Sequence, residues 1–95
     1  MPAAIKVPVA FTATSKSTSN LVVAANPDRE YLIIINNSDT VCYLAFGQAA
    51  VASYGVRLTA SGGAYEMSRL LGNLTTAAVY SINATGDKNL CGVES

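Results

Sequence analysis

Arg29-Glu30-Tyr31-Leu32-Ile33-Ile34-Ile35-Asn36-Asn37-Ser38-Asp39-Thr40-Val41-Cys42-Tyr43-Leu44-Ala45-Phe46-Gly47 decides the fold class. It reads as two strands joined by a polar turn, and as a central hairpin. Tyr31 to Ile35 is apolar on both faces, which places it mid-structure or between a core and an interface. Asn36 to Thr40 is turn chemistry, because short polar side chains bond their own backbone and tolerate left-handed conformations. Val41 to Phe46 returns as a strand, with Val41, Tyr43 and Ala45 on one face and Cys42, Leu44 and Phe46 on the other.

Short strands continue on both sides of this stretch. Ile5, Val7, Val9 and Phe11 alternate within Ala3 to Thr14, and Pro8 demotes that segment to an edge strand or an arm. Thr12 to Asn20 is a polar surface loop. Leu21 to Ala25 is a β-rich run stopped by Asn26-Pro27-Asp28. Gly47 to Gly55 exceeds a usual hairpin loop, which predicts a crossover between sheets. Val56, Leu58 and Ala60 alternate with polar residues, Gly62-Gly63 permits a sharp turn, and Ala64 to Met67 follows as another strand. Leu74 to Ile82 alternates again, and Asn83 to Asp87 is a turn of hairpin chemistry before Lys88 to Val93. About eight short strands without an amphipathic helix predict an all-β, single-domain antiparallel β-sandwich, with a jelly-roll as the first choice. Residues 1–20 are expected as an N-terminal arm or edge strand with its loop, and residues 21–95 as the sandwich core.

Composition narrows the function classes. The chain has 95 residues, six basic and six acidic, so its formal net charge is zero. Charged residues make up 13%, about half the usual share of a soluble domain. Mean hydropathy is +0.33. Such a surface invites association, and the simplest account is an assembly that covers part of it. The six cations are scattered singly, which argues against nucleic-acid binding. Neither long uncharged window is an unbroken apolar run, so a membrane span is not expected. Met1 to Lys6 lacks the features of a signal peptide, and folding in a cytosol is expected.

Candidate chemistry is sparse. There is no histidine, so the many Ser and Thr residues lack the usual base, and no nucleophile elbow or phosphate loop occurs. Asp28 and Glu30 form the one close carboxylate pair, read as solvated rim charges beside Arg29. Arg57 and Glu66 flank the Gly62-Gly63 turn and are expected to face each other, subject to register. Cys42 and Cys91 are read as small buried hydrophobes, too few for a zinc site and able to join only if their strands are neighbours. No catalytic residue, cofactor or metal ion is expected. The Asn-x-Ser/Thr matches at Asn36, Asn73 and Asn83 are read as chance. Four of five tyrosines fall in strand patterns; Tyr54, in the long loop, is the one placed to contact a ligand.

One resemblance adds to this reading. Arg29 before Tyr31-Leu32, the Asn36-Asn37-Ser38 turn, Tyr43-Leu44-Ala45-Phe46-Gly47, Gly62-Gly63-Ala64-Tyr65-Glu66 and Ala78 to Ile82 resemble small structural proteins of tailed bacteriophages. The likeness runs from about Asn26 to Glu94 and does not touch the first 25 residues. It implies a virion component on the capsid surface, made in the host bacterial cytoplasm. The first choice is a capsid cement or decoration protein that binds the major capsid protein; the alternative is a neck, tail or fibre-base part. A homo-oligomer, dimer or trimer, is expected, since it would cover unprotected sheet edges. Met1 to Phe11 and the Gly47 to Gly55 loop are the expected contact segments, with Phe11, Tyr54 and Arg57 as named interface residues. A carbohydrate- or receptor-binding module, with Tyr54 stacking on sugar, is the alternative from another class. An enzyme is the least favoured.

Overall fold

A computed structural model describes residues 7–95; the expected contacts of Met1 to Lys6 lie outside the described residues. Among the described residues, eight strands form: β1 (Val9–Ser15), β2 (Asn20–Val23), β3 (Tyr31–Asn36), β4 (Cys42–Phe46), β5 (Val56–Leu58), β6 (Ala64–Ser68), β7 (Val79–Asn83) and β8 (Lys88–Glu94). They make two four-stranded sheets, β1-β8-β3-β6 (sheet A) and β2-β7-β4-β5 (sheet B). Every ladder between these strands is antiparallel. The expected all-β sandwich is therefore what forms. The pairing is nested: first strand with last, second with seventh, third with sixth, fourth with fifth.

This nesting reverses the expected roles of two kinds of link. The opening stretch is not a hairpin, because β3 lies in sheet A and β4 in sheet B. The same holds for Asn83 to Asp87, since β7 and β8 are in different sheets. Conversely, the long Gly47 to Gly55 loop is not a crossover; it joins β4 to its own neighbour β5. A link of four or five residues easily spans the roughly 10 Å between packed sheets, so turn chemistry alone does not distinguish a hairpin from a corner. The short links lie at the Asn36 end of the sandwich, and the three longer ones at the Tyr31 end.

Alternation sets the core. Leu32, Ile34, Leu44, Leu58, Met67, Val79 and Leu90 point inward and are almost wholly buried. Phe11 and Ala13 of β1 pack against them. Leu74 to Ala78, expected as strand, lies outside β7, which starts at Val79 and buries Val79, Ser81 and Asn83. At Gly92, an added Cβ would lie 2.1 Å from the Ile33 carbonyl oxygen and 2.7 Å from the Phe11 ring. The Phe11 ring thus fills the place of the missing side chain.

At the Asn36 end the interior turns polar. Ser15 Oγ and Ser81 Oγ lie 2.8 Å apart, and Asn83 Nδ2 donates to Ser15 Oγ at 3.0 Å. Asn83 Oδ1 accepts from the Thr85 and Gly86 amides, which holds the β7–β8 corner. Asn36 Nδ2 donates to the Thr40 and Leu58 carbonyls, and its Oδ1 accepts from Ser38 Oγ. The Asn36 backbone also bonds Gly62 and Gly63. Asn36 and Asn83 are buried, so glycosylation at either requires unfolding.

At the other end sits Arg29, whose side chain is wholly buried. The flanking Asp28 and Glu30 are exposed, as expected of rim charges, but Arg29 between them turns inward. Its Nε donates to Glu94 Oε2 at 2.7 Å. Its Nη1 donates to the Thr75 and Ala77 carbonyls, and Nη2 to the Ala24 carbonyl. One guanidinium therefore ties the β2–β3 link, the β6–β7 link and the last strand together. Among the described residues, no buried side-chain nitrogen or oxygen lacks a partner.

Two asparagines occupy backbone groups on the edges of sheet A. Asn73 accepts from the Ser68 amide and donates to the Glu66 carbonyl, as a ninth strand beside β6 would. Asn20 donates to the Thr14 carbonyl on β1.

Removing the guanidinium strands three carbonyls and a partly buried carboxylate. Arg29→Leu is expected to cost about 3–5 kcal/mol, read as a lowered urea midpoint. Gly92→Ala is expected to cost about 1–3 kcal/mol through overpacking, and trimming Phe11 to Leu in the same chain should restore part of that loss.

Candidate interaction surfaces

The β4–β5 loop forms a concavity. Gly47 N donates to the Ala78 carbonyl at 2.7 Å, beyond the last β4–β7 pair. Three residues on, the Ala50 amide donates to Ser19 Oγ at 2.8 Å, beside the first residue of β2. Strand β7 lies between β4 and β2, and the inner side of sheet B is filled by the core. The loop therefore crosses β7 on the outer side and covers part of that face. Ala50 is buried there, and the outward residues Tyr80 and Ile82 are half-buried. The chain then turns back through Val51 to Tyr54, closed by a bond from the Tyr54 amide to the Val51 carbonyl. Ser53 and Gly55 have φ values of 70° and 82°. At Gly55 a side chain is impossible, since a Cβ would sit 2.2 Å from the Leu44 carbonyl oxygen.

Between this loop and β4–β5 lies a half-open hollow of about 460 Å³. Leu44, Phe46, Val51, Tyr54 and Val56 line it, with Gln48 as a polar side chain at its wall. Tyr54 is 70% exposed and Val51 51%. Such a hollow accepts an apolar knob. A sugar site needs several converging polar groups around its aromatic platform, and here the wall offers little besides Gln48 and the Tyr54 hydroxyl.

The three residues expected at an interface do not form one cluster. Phe11 packs inward on β1, at one edge of sheet A. Tyr54 sits in the β4–β5 loop, at the hollow beside β4 and β5. Arg57 is exposed on β5, opposite Tyr43, close to the same loop. Arg57 and Glu66 do not face each other, because β5 and β6 belong to different sheets. Glu66 instead accepts from the Tyr31 hydroxyl at 2.5 Å. That hydrogen bond, more than burial or the carboxylate's charge, raises the Tyr31 pKa.

The remaining charges are mostly paired. Lys88 Nζ lies 2.9 Å from Asp39 and lowers that carboxyl's pKa through their hydrogen bond. Arg69 bonds Glu30 at the opposite end. Exposed pairs of this kind contribute little to stability. Among the described residues, no group of three or more His, Cys, Asp or Glu is placed to hold a metal ion, and no helix is long and apolar enough to cross a membrane.

The cysteines separate. Cys42 points into the core from sheet B, Cys91 points outward from sheet A, and both are free. Cys91 thus departs from the expected buried position. Arg29, Asn36, Asn73 and Asn83 are the residues that sequence patterning undervalued. A charged residue beside a strand, or an asparagine in a turn, looks the same whether its side chain points out or in. Comparison with protein-family models, with curated proteins and with solved structures finds no match.

Burial pushes the Cys42 thiol pKa up, against smaller opposing effects of Ser15, Ser38 and Lys88. The fold therefore favours the neutral thiol. Its contribution is present in full below the ordinary thiol value of about 8.5 and is lost as pH rises through the higher folded value. Denaturation across this alkaline range is expected to show a decline that Cys42→Ala lacks. In dilute native protein, alkylation should mark Cys91 and spare Cys42 until unfolding.

Proposed function

We propose that this chain is a structural protein of a bacteriophage virion, a capsid cement or decoration protein that binds the major capsid protein by fit and area. The observation that carries the reading is the character of the exposed groups. Val51 and Tyr54 overhang an apolar hollow, Leu70 and Leu71 stand out from the β6–β7 link, and Val7 and Val9 from the start of β1. Apolar groups presented at separate places suit lattice contacts. A reaction needs convergent acid, base or nucleophile, and the ionisable groups here are engaged in scattered pairs. Many copies on a repeating surface convert modest contacts into firm attachment.

The resemblance from about Asn26 to Glu94 supports the same reading. So does the nested pairing of strands, which we read as the winding of a jelly roll, an architecture found in viral capsid and lectin domains. Architecture by itself does not assign function. Self-association into a dimer or trimer belongs to the proposal, given the low charge and positive hydropathy. Synthesis in the host cytoplasm and residence on the capsid surface follow from it. A neck, tail or fibre-base position is the runner-up within the same class.

Copy number separates these positions. Mass spectrometry of the virion carrying this chain is expected to give hundreds of copies; a dozen or fewer would place it in the neck or tail. Binding of purified protein to shells that lack it should weaken at least tenfold for Tyr54→Ala. The variant's stability should stay within about 0.5 kcal/mol of the parent, as for other surface substitutions. Reproducible glycan-array binding that Tyr54→Ala abolishes would support the carbohydrate-binding reading instead.

A further inference from the structure

The two sheets differ on their outer sides. Sheet B is partly roofed by its own β4–β5 loop, anchored through Ala50 on Ser19. Sheet A has no such cover among the described residues, yet its outer side is apolar. Ile33 and Ile35 of β3 stand beside Val93 and Cys91 of β8 in the ladder, and Ala10 and Thr12 of β1 continue the same two rows. The four central side chains are half-buried by one another, while Ala10 and Thr12 are exposed. One charge borders this patch: Glu66, opposite Ile33 on β6, already bonded to Tyr31.

We infer that the outer face of sheet A seats a second copy of this chain, sheet against sheet. Three observations select that occupant. A two-fold contact sets each group against its own surroundings, so it tolerates few charges; the central rows carry none. A flat array of β-branched residues packs on its like as the inner faces of a sandwich do, at about 10 Å and roughly 30°. The face also gives a different partner no charge pattern to recognise. Its size sets the strength. Four strands at about 4.8 Å spacing and about 20 Å in length offer roughly 400 Å² per copy. Two copies fall below the roughly 1,200–2,000 Å² of standard stable interfaces. The dimer is therefore weak and concentration-dependent, and a lattice that holds copies close would reinforce it.

The inference concerns the isolated protein and does not rest on the virion reading. Sedimentation of the full chain from micromolar to millimolar concentration is expected to show a reversible monomer–dimer equilibrium. Ile35→Lys, which sets two cations against each other across the face, should raise the dissociation constant at least tenfold. Arg57→Glu, exposed on β5 of the other sheet, should leave it unchanged. Alkylation of Cys91 should slow as the dimer fills, and a short bis-maleimide should join two Cys91 thiols in the parent but not in Ile35→Lys. Circular dichroism establishes that each variant is folded. A chain monomeric at every concentration overturns the inference. So does a dimer that survives Ile35→Lys with Cys91 still reactive. Protection of Cys91 in the monomeric protein on binding capsid shells would assign the face to the shell instead.

Discussion

A single buried guanidinium holds together the end of the sandwich where the links are long. Burying a cation is costly unless its donors are matched. Arg29 meets that condition with one carboxylate and three backbone carbonyls. The carbonyls belong to links that form no ladder at those points, so the guanidinium supplies the partners a sheet would otherwise provide. Around it the last residue joins in: the Ser95 carbonyl accepts from the Glu30 and Tyr31 amides, and its amide donates to Tyr31. The opposite end is held by the side chains of Asn36, Asn83, Ser15 and Ser81. The apolar middle needs no such devices.

The strands were legible because burial on one face leaves a period of two. Tyr31 to Asn36 shows it as alternating half-buried and buried residues. Composition and turn spacing were enough to give eight strands in a sandwich. Partner strands were not legible. The same Asn-rich chemistry turns a hairpin or rounds a corner between sheets, and only long-range pairing decides which. Hence Asn36 to Thr40 has the pattern of a hairpin turn yet rounds a corner between sheets, and Gly47 to Gly55 has the length of a crossover yet joins neighbouring strands. Of the expected contact residues, the loop position of Tyr54 marked its exposure correctly. Phe11 packs inward because Gly92, 81 positions away in sequence, leaves room for its ring. No local pattern carries that information. The inward turn of Arg29 was equally hidden, since three of its four acceptors are backbone atoms with no residue signature.

The sandwich handles its exposed backbone and its exposed apolar side chains by different means. On sheet A, Asn73 occupies an amide and a carbonyl of edge strand β6 and Asn20 a carbonyl of edge strand β1, so ladder growth from one molecule to the next meets a side chain at those points. Apolar side chains remain available on sheet faces and loops. Contacts made through such surfaces are finite in extent, whereas edge pairing propagates. A chain with zero net charge has little electrostatic repulsion to keep copies apart, so the distinction bears directly on its solubility.

The nested pairing also fixes an order of events in time. Val9 pairs with Glu94, so β1, the earliest made of the eight strands, finds its partner only after β8 has been made. Long-range ladders of this kind close slowly. The innermost pair, β4 with β5, is the earliest that synthesis can complete, and each later strand wraps outside the one before. Until Glu94 arrives, Arg29 stays hydrated and the links it will gather remain loose. Thr12 and Thr14, alternating with Phe11 and Ala13 on the waiting strand, keep that exposed segment half polar through the interval. Arrival of β8 is thus the step that completes the burial of the cation.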